Sequence, residues 1–447
     1  MYNLKKGLNI PISGTPEGNI SDSTKISHVG ILGPDYVGMK PTMMVEIGDE
    51  VQIGSALFED KKNPGVYFTS PAGGLIKSIN RGEKRRFISI EIEVGDQENQ
   101  VEILNDNNET LVSNLSKFGI INCFRTRPFN KTPKPNNIPE DIFVNICDTN
   151  PLSVDPCTYL QYEIDLFNKS LIKMKEVFNC NIHVCYQNND FKDFIDDINY
   201  YKFNGPHPAG LTGTHIHFIK PVDINSKCWH TDGQGVLSFG DFALNNKIRT
   251  SKYVSIGGPS ILEPKIVKAR IGSDCRELVA GNLRENSRLI SGSVLNGYEI
   301  NDSISFLGFY HNQISAISDE VPDTFLNWLM PGSKLHSKLG AFISNWVKPN
   351  EFEFNTALNG SNRGIVPVAA YEEVMPLNIM SLQLLKSIVV KDIENAIKLG
   401  VLELAPEDLS LCSYVCPGKY DYCSILDENL ELIYKELQWN FLEIFLM

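Results

Sequence analysis

Hydrophobic and polar residues alternate with a period of two through much of the first hundred positions, and glycines cut the alternation into short pieces. In Val45-Glu46-Ile47-Gly48-Asp49-Glu50-Val51-Gln52-Ile53-Gly54-Ser55-Ala56-Leu57-Phe58, Gly48-Asp49 reads as a tight turn and Val51 and Ile53 share one strand face. Gly54 turns the chain again, and Leu57 begins another strand. Pro71-Ala72-Gly73-Gly74-Leu75-Ile76 starts a second unit of the same kind. Short strands with glycine turns at this spacing predict a small β-barrel or sandwich, set here to residues 1–110.

From about Leu115 the pattern changes. Ile142-Phe143-Val144-Asn145-Ile146-Cys147 and Asn181-Ile182-His183-Val184-Cys185-Tyr186 are apolar runs of strand length. Between them Leu160, Ile164, Leu166, Phe167, Leu171 and Met174 recur close to helical spacing. Strand, helix, strand predicts a crossover unit in a largely parallel sheet, an α/β domain over 111–256. Beyond Gly257-Gly258-Pro259, short strands are expected at 265–271 and 304–309 with a helical turn from Asp274, forming a third unit over 257–330. The remainder, 331–447, reads as helical. One stretch runs over 377–399 and stops at Gly400, a natural left-handed cap; Pro406-Glu407-Asp408 opens another. The apolar tail Trp439-Asn440-Phe441-Leu442-Glu443-Ile444-Phe445-Leu446-Met447 either packs into the protein's own core or meets a partner.

Charge removes one class of partner. With 54 acidic and 41 basic residues the formal net charge is −13, whereas a nucleic-acid binder needs a basic face. The run Lys84-Arg85-Arg86 reads as a solvated hairpin tip. No stretch approaches the ~18 apolar residues of a membrane-crossing helix, and Met1-Tyr2-Asn3-Leu4-Lys5-Lys6-Gly7 lacks the apolar core of a secretory signal. A cytosolic compartment is expected, so the ten cysteines read as thiols. Cys123, Cys147, Cys157, Cys180, Cys185, Cys228 and Cys275 sit mostly among apolar neighbours, as small core residues do.

Several clusters invite chemistry. A parallel sheet that binds a dinucleotide needs G-x-G-x-x-G directly after a strand, and Asp148-Thr149-Asn150-Pro151 stands there instead. His207, His215 and His217 form a histidine group, but residues two apart on a strand share a face without any metal, and structural histidines are expected. Cys412, Cys416 and Cys423 have spacings C-x3-C and C-x6-C, not those of a ferredoxin-type cluster, so no metal is expected. The loop Gly33-Pro34-Asp35-Tyr36-Val37-Gly38-Met39-Lys40 offers Tyr36 for stacking, Met39 as an adaptable apolar wall and Lys40 as a donor. It reads either as a wall for a flat ring or as a rigid barrel connection with Tyr36 packed inside.

The glycine-punctuated repeat is similar to a biotinyl/lipoyl carrier domain, with Asp60-Lys61-Lys62-Asn63-Pro64-Gly65 at the position of the carrier hairpin. Asn63-Pro64-Gly65 replaces the immediate return strand of a carrier, so a docking module without acylation is expected. A closer resemblance covers the whole chain. Lys5-Lys6-Gly7-Leu8-Asn9-Ile10-Pro11, Asp35-Tyr36-Val37-Gly38-Met39-Lys40-Pro41, Gly205-Pro206-His207-Pro208-Ala209-Gly210-Leu211, Asn359-Gly360-Ser361 and Val415-Cys416-Pro417-Gly418-Lys419-Tyr420 resemble the A-subunit family of bacterial sodium-translocating NADH:quinone (ubiquinone) reductases.

That resemblance implies an α/β multidomain fold: a biotinyl/lipoyl-like barrel, a Rossmann-like domain, a β-grasp (SLBB-like) domain acting as an interaction module, and C-terminal helices. It implies a peripheral position at the cytoplasmic face of the bacterial inner membrane. The complex has six subunits, oxidises NADH, reduces ubiquinone to ubiquinol and pumps sodium out of the cytoplasm. The chain would help form the quinone site while docking on the other subunits, chiefly the membrane-embedded B subunit. Gly33, Tyr36, Met39, Lys40 and His207 would be quinone-binding residues, with no catalytic residue in this chain. NADH, flavins and iron–sulfur centres would belong to other subunits, with no cofactor held tightly here. The alternatives are an assembly scaffold, an iron–sulfur carrier on Cys412, Cys416 and Cys423, or a biotin- or lipoate-dependent carrier.

Overall fold

The computed structural model describes residues 1–446 apart from 24, 106, 135–136, 188–193, 321–331, 333–334, 339–341 and 348–350, and without the side chains of 345, 347 and 438–446. The first unit is a barrel-like sandwich. An antiparallel sheet of His28–Leu32, Phe87–Val94, Gly74–Arg81 and Glu50–Val51 faces a sheet of Pro41–Met43, Ala56–Asp60 and Tyr67–Thr69. Ile90 and Ile92 turn inward from Phe87–Val94 while Glu91 and Glu93 face out, and they meet Val29, Leu57, Phe58, Phe68 and Ile76, all fully buried. Each such side chain contributes roughly 1.5–3 kcal/mol. Lys84, Arg85 and Arg86 are exposed at a hairpin tip.

The α/β unit has the expected crossover. Asp141–Ile146 leads through the helix Ile164–Phe178 to the parallel strand Asn181–Tyr186. The complete sheet runs Tyr2–Asn3, Asn199–Asn204, Asn181–Tyr186, Asp141–Ile146, Cys228–Asp232, Arg125–Arg127, and only the last strand is antiparallel to its neighbour. A second helix, Gly233–Asn245, lies so close to Ile164–Phe178 that a Cβ on Gly240 would sit 1.8 Å from Ser170 Oγ.

The third unit is a mixed sheet in the order Tyr298–Glu299, Ser287–Ser291, Gln313–Ser318, Ser251–Gly257, Lys265–Arg270, Ile20–Asp22. Lys265–Arg270 matches its predicted strand, and Asp274 caps a helical turn at Cys275–Leu278. The strand expected at 304–309 is absent: Phe306 makes one bridge to Asp274, and the sheet strand comes at Gln313–Ser318. Phe306 and Leu307 are apolar because they plug the seam to the barrel; a Cβ on Gly30 would lie 2.3 Å from the Phe306 ring.

The C-terminal unit has its own core, which includes Tyr371, Leu384, Leu385, Ile388, Leu409, Leu411, Tyr422 and Leu426. Residues 377–399 form two helices, not one: Ser381–Val389 stops before Lys391, whose φ is 58°, and Asp392 caps Ile393–Lys398 by accepting from the Asn395 N–H. Gly400 is left-handed at φ 93°, as its position predicts. Pro406 opens a 3-10 turn that continues as the helix Ser410–Val415, and a long helix spans Tyr422–Leu446. The packing of the tail 439–447 lies outside the described side chains. No helix among the described residues is long and apolar enough to cross a membrane.

The first 22 residues do not join the barrel. Tyr2–Asn3 extends the α/β sheet, Ile20–Asp22 extends the third sheet, and Ile10 and Ile12 are buried in the C-terminal core. This strap runs close beneath the α/β unit: a Cβ on Gly7, at φ 137°, would lie 2.3 Å from the His207 carbonyl. Only glycine fits that contact.

Candidate functional site

A cavity of about 500 Å³ opens where the four units meet. The α/β sheet supplies Asn145, Cys147, Asp148 and Asp232 from the carboxyl ends of two adjacent parallel strands, the usual ligand crevice of such sheets. The barrel supplies Pro34, Asp35 and Val37, the third unit Tyr298, Tyr310 and His311, and the C-terminal unit Glu407, Asp421, Cys423 and Asp427.

The barrel wall follows from one short turn. Gly33–Asp35 is a 3-10 turn with Pro34 early in it, and it lies against the barrel strand so closely that a Cβ on Gly33 would be 2.4 Å from the Phe87 carbonyl. The turn sends successive side chains opposite ways. Asp35, 8% exposed, accepts the Phe309 N–H at 2.8 Å. Tyr36, 6% exposed, packs into the barrel, edge-on to Phe68 with ring centroids 4.4 Å apart. Met39 packs against the same core, and Lys40 is exposed. So of the loop, Pro34, Asp35 and Val37 reach the large cavity, whereas Tyr36 borders a smaller one of about 60 Å³ between the barrel and its neighbours.

His207 lies away from this wall. Its backbone N–H donates to Asn9 Oδ1 at 2.9 Å, its carbonyl accepts the Leu8 N–H, and Nδ1 is 3.1 Å from Thr149 Oγ1. Gly210, Leu211 and Thr212 line the cavity in its place. His215 and His217 sit on the helix Thr212–Ile219, not on a strand as expected, so two residues apart they point ~200° around its axis. His215 Nε2 donates to the Ala209 carbonyl at 2.9 Å; His217 bonds Glu403 at 2.6 Å and accepts the Asn378 N–H. Burial pushes His207 and His215 down to about 4, so both rings are neutral at pH 7.

The strand end that would carry phosphate-binding glycines is occupied by the chain itself. Asp148 Oδ1 accepts both the backbone N–H and the side-chain amide of Asn150, each at 2.9 Å, and burial raises its carboxyl to about 6. A Cβ on Gly210 would lie 2.7 Å from the Thr149 nitrogen, so the following turn packs directly on that loop.

Charge in and behind the cavity wall is unusual. Burial raises Asp35 to about 7 and lowers Lys252 to about 8. His311 is driven down to about 3 by burial and by the Lys252 and Arg125 charges; His230 is lowered by burial, Arg125 and Arg127. The Arg125 guanidinium lies over the Tyr310 ring, 4.3 Å from its centroid. Sequence reasoning missed Arg125, Tyr298 and Tyr310, which line the cavity.

The cysteine group has separate environments. Burial raises the Cys412 thiol, and the Cys423 thiol to about 12. Around Cys416 the Tyr371 and Tyr422 hydroxyls, at 3.1 and 3.6 Å, and the Tyr420 and Gly418 amides outweigh burial and hold the thiol below its usual range. Among the described residues no group of three or more His, Cys, Asp or Glu is arranged to hold a metal ion. Lys61 and Lys62 are exposed, yet their hairpin is tied down: Asp60 accepts the Lys40 and Lys62 amides, and Asn63 donates to the Pro133 carbonyl at 3.2 Å.

Three family models match in order: the NqrA N-terminal barrel-sandwich hybrid domain over 2–95, the NqrA second alpha/beta domain over 106–248, and the NQRA C-terminal domain over 253–302. The chain is similar to proteins named as the A subunit of the Na(+)-translocating NADH-quinone reductase. It is 41% identical to that of Yersinia pseudotuberculosis over 446 residues, covering 98% of this chain and all of the relative. Identity is 40% to the Saccharophagus degradans protein and 41% to that of Neisseria meningitidis serogroup B, with the same coverage.

Proposed function

The chain belongs to the A-subunit family of the Na(+)-translocating NADH-quinone reductase, and from that premise we propose that its central cavity helps form the quinone site of the complex. The complex oxidises NADH, reduces ubiquinone to ubiquinol and moves sodium out of the cytoplasm. In this reading the chain is one of six subunits and docks at the cytoplasmic face of the inner membrane, chiefly on the membrane-embedded B subunit. NADH, flavins and iron–sulfur centres stay on other subunits, and this chain contributes position rather than a redox group of its own.

The observation that carries the reading is the barrel turn at Gly33–Asp35, which delivers Pro34, Asp35 and Val37 to a cavity of about 500 Å³. That volume lies in the range of small-molecule sites, and a quinone head needs an apolar slot with a few placed polar groups. Pro34 and Val37 give the apolar wall; Asp35, Tyr298 and Tyr310 give polar groups. The loop residues Gly33, Tyr36, Met39 and Lys40 then support the wall from behind, with His207 bracing the opposite turn.

Val37→Trp fills the slot and tests this. In the assembled complex the quinone KM should rise on the order of tenfold, equivalent to ~1.4 kcal/mol, while NADH oxidation with an artificial acceptor persists. An unchanged quinone KM would move the site off this cavity.

A further inference from the structure

A single cation lines the central cavity. Among the described residues of its wall Arg125 is the sole lysine or arginine, facing the carboxyl groups of Asp35, Asp148, Asp232, Glu407, Asp421 and Asp427. Its backbone is fixed at the start of the edge strand Arg125–Arg127, opposite His230. Its half-buried side chain lies over the Tyr310 ring, with the guanidinium carbon 4.3 Å from the ring centroid. Tyr310 also lines the cavity and is itself held: its hydroxyl donates to the Asn122 carbonyl at 2.9 Å, and its ring meets Tyr36 edge-on at 6.1 Å. A guanidinium laid on a fixed ring has little freedom left to lose when it binds.

The donors of that guanidinium are unspent. Among the described residues the Arg125 side chain makes no hydrogen bond and no ion pair, so its planar fork of N–H groups stays open. Arg127, on the same face of the same strand, is the opposite case: it is fully buried and paired with Glu407 at 3.1 Å and Asp408 at 3.3 Å. Other donors of the wall are used within the chain. The Tyr298 hydroxyl donates to the Pro34 carbonyl at 3.3 Å, and the Asn312 amide to Asp232 at 2.6 Å. Asp35 is near enough to feel the Arg125 charge, yet it makes no ion pair with it and accepts the Phe309 N–H at 2.8 Å. An open donor fork on a cavity wall calls for an oxygen acceptor. The acids that surround it disfavour an anion and suit a neutral carbonyl compound.

We propose that Arg125, carried on Tyr310, is the residue that binds a carbonyl oxygen of the quinone. This rests on the quinone reading of the cavity. The Tyr36 contact of Tyr310 and the Pro34 bond of Tyr298 set this part of the wall beside the barrel turn that carries Val37. The guanidinium N–H groups donate to the oxygen of the oxidised ring. As the two electrons that the complex takes from NADH arrive, that oxygen gains negative charge and the same bonds strengthen. Arg125 keeps all its protons, and the two that complete the quinol come from water.

The test uses the assembled complex carrying Arg125→Met, Arg125→Gln or Arg125→Lys, with NADH oxidation by an artificial acceptor as the control for assembly. Arg125→Met and Arg125→Gln should each lower quinone kcat/KM by roughly tenfold to a hundredfold. Arg125→Lys keeps the charge without the planar fork and should recover part of that loss. An infrared measurement separates binding from packing. With ubiquinone isotope-labelled at its carbonyl carbons, one carbonyl stretch should lie at lower wavenumber in the wild type than in Arg125→Met. A wild-type kcat/KM in Arg125→Met, or the same carbonyl stretch in both proteins, overturns the proposal. So does inorganic phosphate that competes with quinone in the wild type and not in Arg125→Met, since the fork would then serve an anion. If Arg125→Met does not assemble, Arg125→Gln and Arg125→Lys carry the same measurements. Should Arg125 fail while Val37→Trp raises quinone KM, the oxygen contact alone is wrong; an unchanged KM in Val37→Trp removes the quinone reading itself.

Discussion

Residues 33–41 and 205–213 are alike in composition, each rich in glycine and proline, and they have different surroundings. The first meets a cavity on one side and a barrel core on the other, so neighbouring side chains part company: Asp35 faces Phe309 and Tyr36 faces Phe68. The second meets the same cavity through Gly210, Leu211 and Thr212, but most of the polar groups of 207–209 are taken up by the chain. Asn9 accepts from the His207 amide, the Pro208 carbonyl accepts from Thr214 Oγ1 at 3.0 Å, and the Ala209 carbonyl accepts from His215. Glycine and proline fix a loop's shape, but whether the loop offers anything to a ligand depends on what packs against each side of it.

The strongest way to break this comparison is Tyr36→Ala. With Tyr36 in the barrel core the change should cost about 3–5 kcal/mol and lower the unfolding midpoint by several degrees. An unchanged midpoint together with a raised quinone KM would return Tyr36 to the cavity wall. The second is acid titration of His207→Leu. The folded His207 value of about 4 is below the unfolded 6.5, so its contribution is full above pH 6.5 and is lost as pH falls through about 4. Between pH 7 and 4 the wild type should therefore lose about 3 kcal/mol more than the variant, read from denaturant unfolding at each pH. Parallel pH curves for the two proteins would show that the ring is not held neutral by burial. The smallest effect belongs to Lys40→Ala. Its backbone makes the contacts to Asp60 and Lys61 while its side chain is exposed, so stability should shift by less than ~0.5 kcal/mol and quinone KM by less than about twofold. A large KM change would extend the quinone wall to the outer end of the loop.

Much of the fold was legible because periodicity reports burial. The strands Asp141–Ile146 and Asn181–Tyr186 and the helix between them appear where apolar spacing put them, as do the glycine-cut strands of the barrel. Phe306 and Leu307 misled because an apolar run serves a seam between units as well as a sheet. The break at Lys391 was invisible, since its φ of 58° carries no glycine to announce it. His215 and His217 read as a strand pair because two-residue spacing fits a strand, and no local signal marks the short helix Thr212–Ile219 that holds them. The site was less legible. Asp35 stood in the candidate loop beside Tyr36, but which of the two turns inward is decided by Phe68 and Phe309, which lie far from both in the sequence.

The strap formed by the first 22 residues sets an order of events during synthesis. Tyr2–Asn3 has no strand to pair with until Asn199–Asn204 has been made, and Ile20–Asp22 none until Lys265–Arg270. Gly7 donates to the Glu373 carbonyl and Ser13 to that of Phe352, so the strap closes only when the last quarter of the chain exists. A segment made before all of its partners is thus among the last to lock, after loop closures spanning some two hundred residues or more. Its final docking ties together the α/β unit, the third unit and the C-terminal unit.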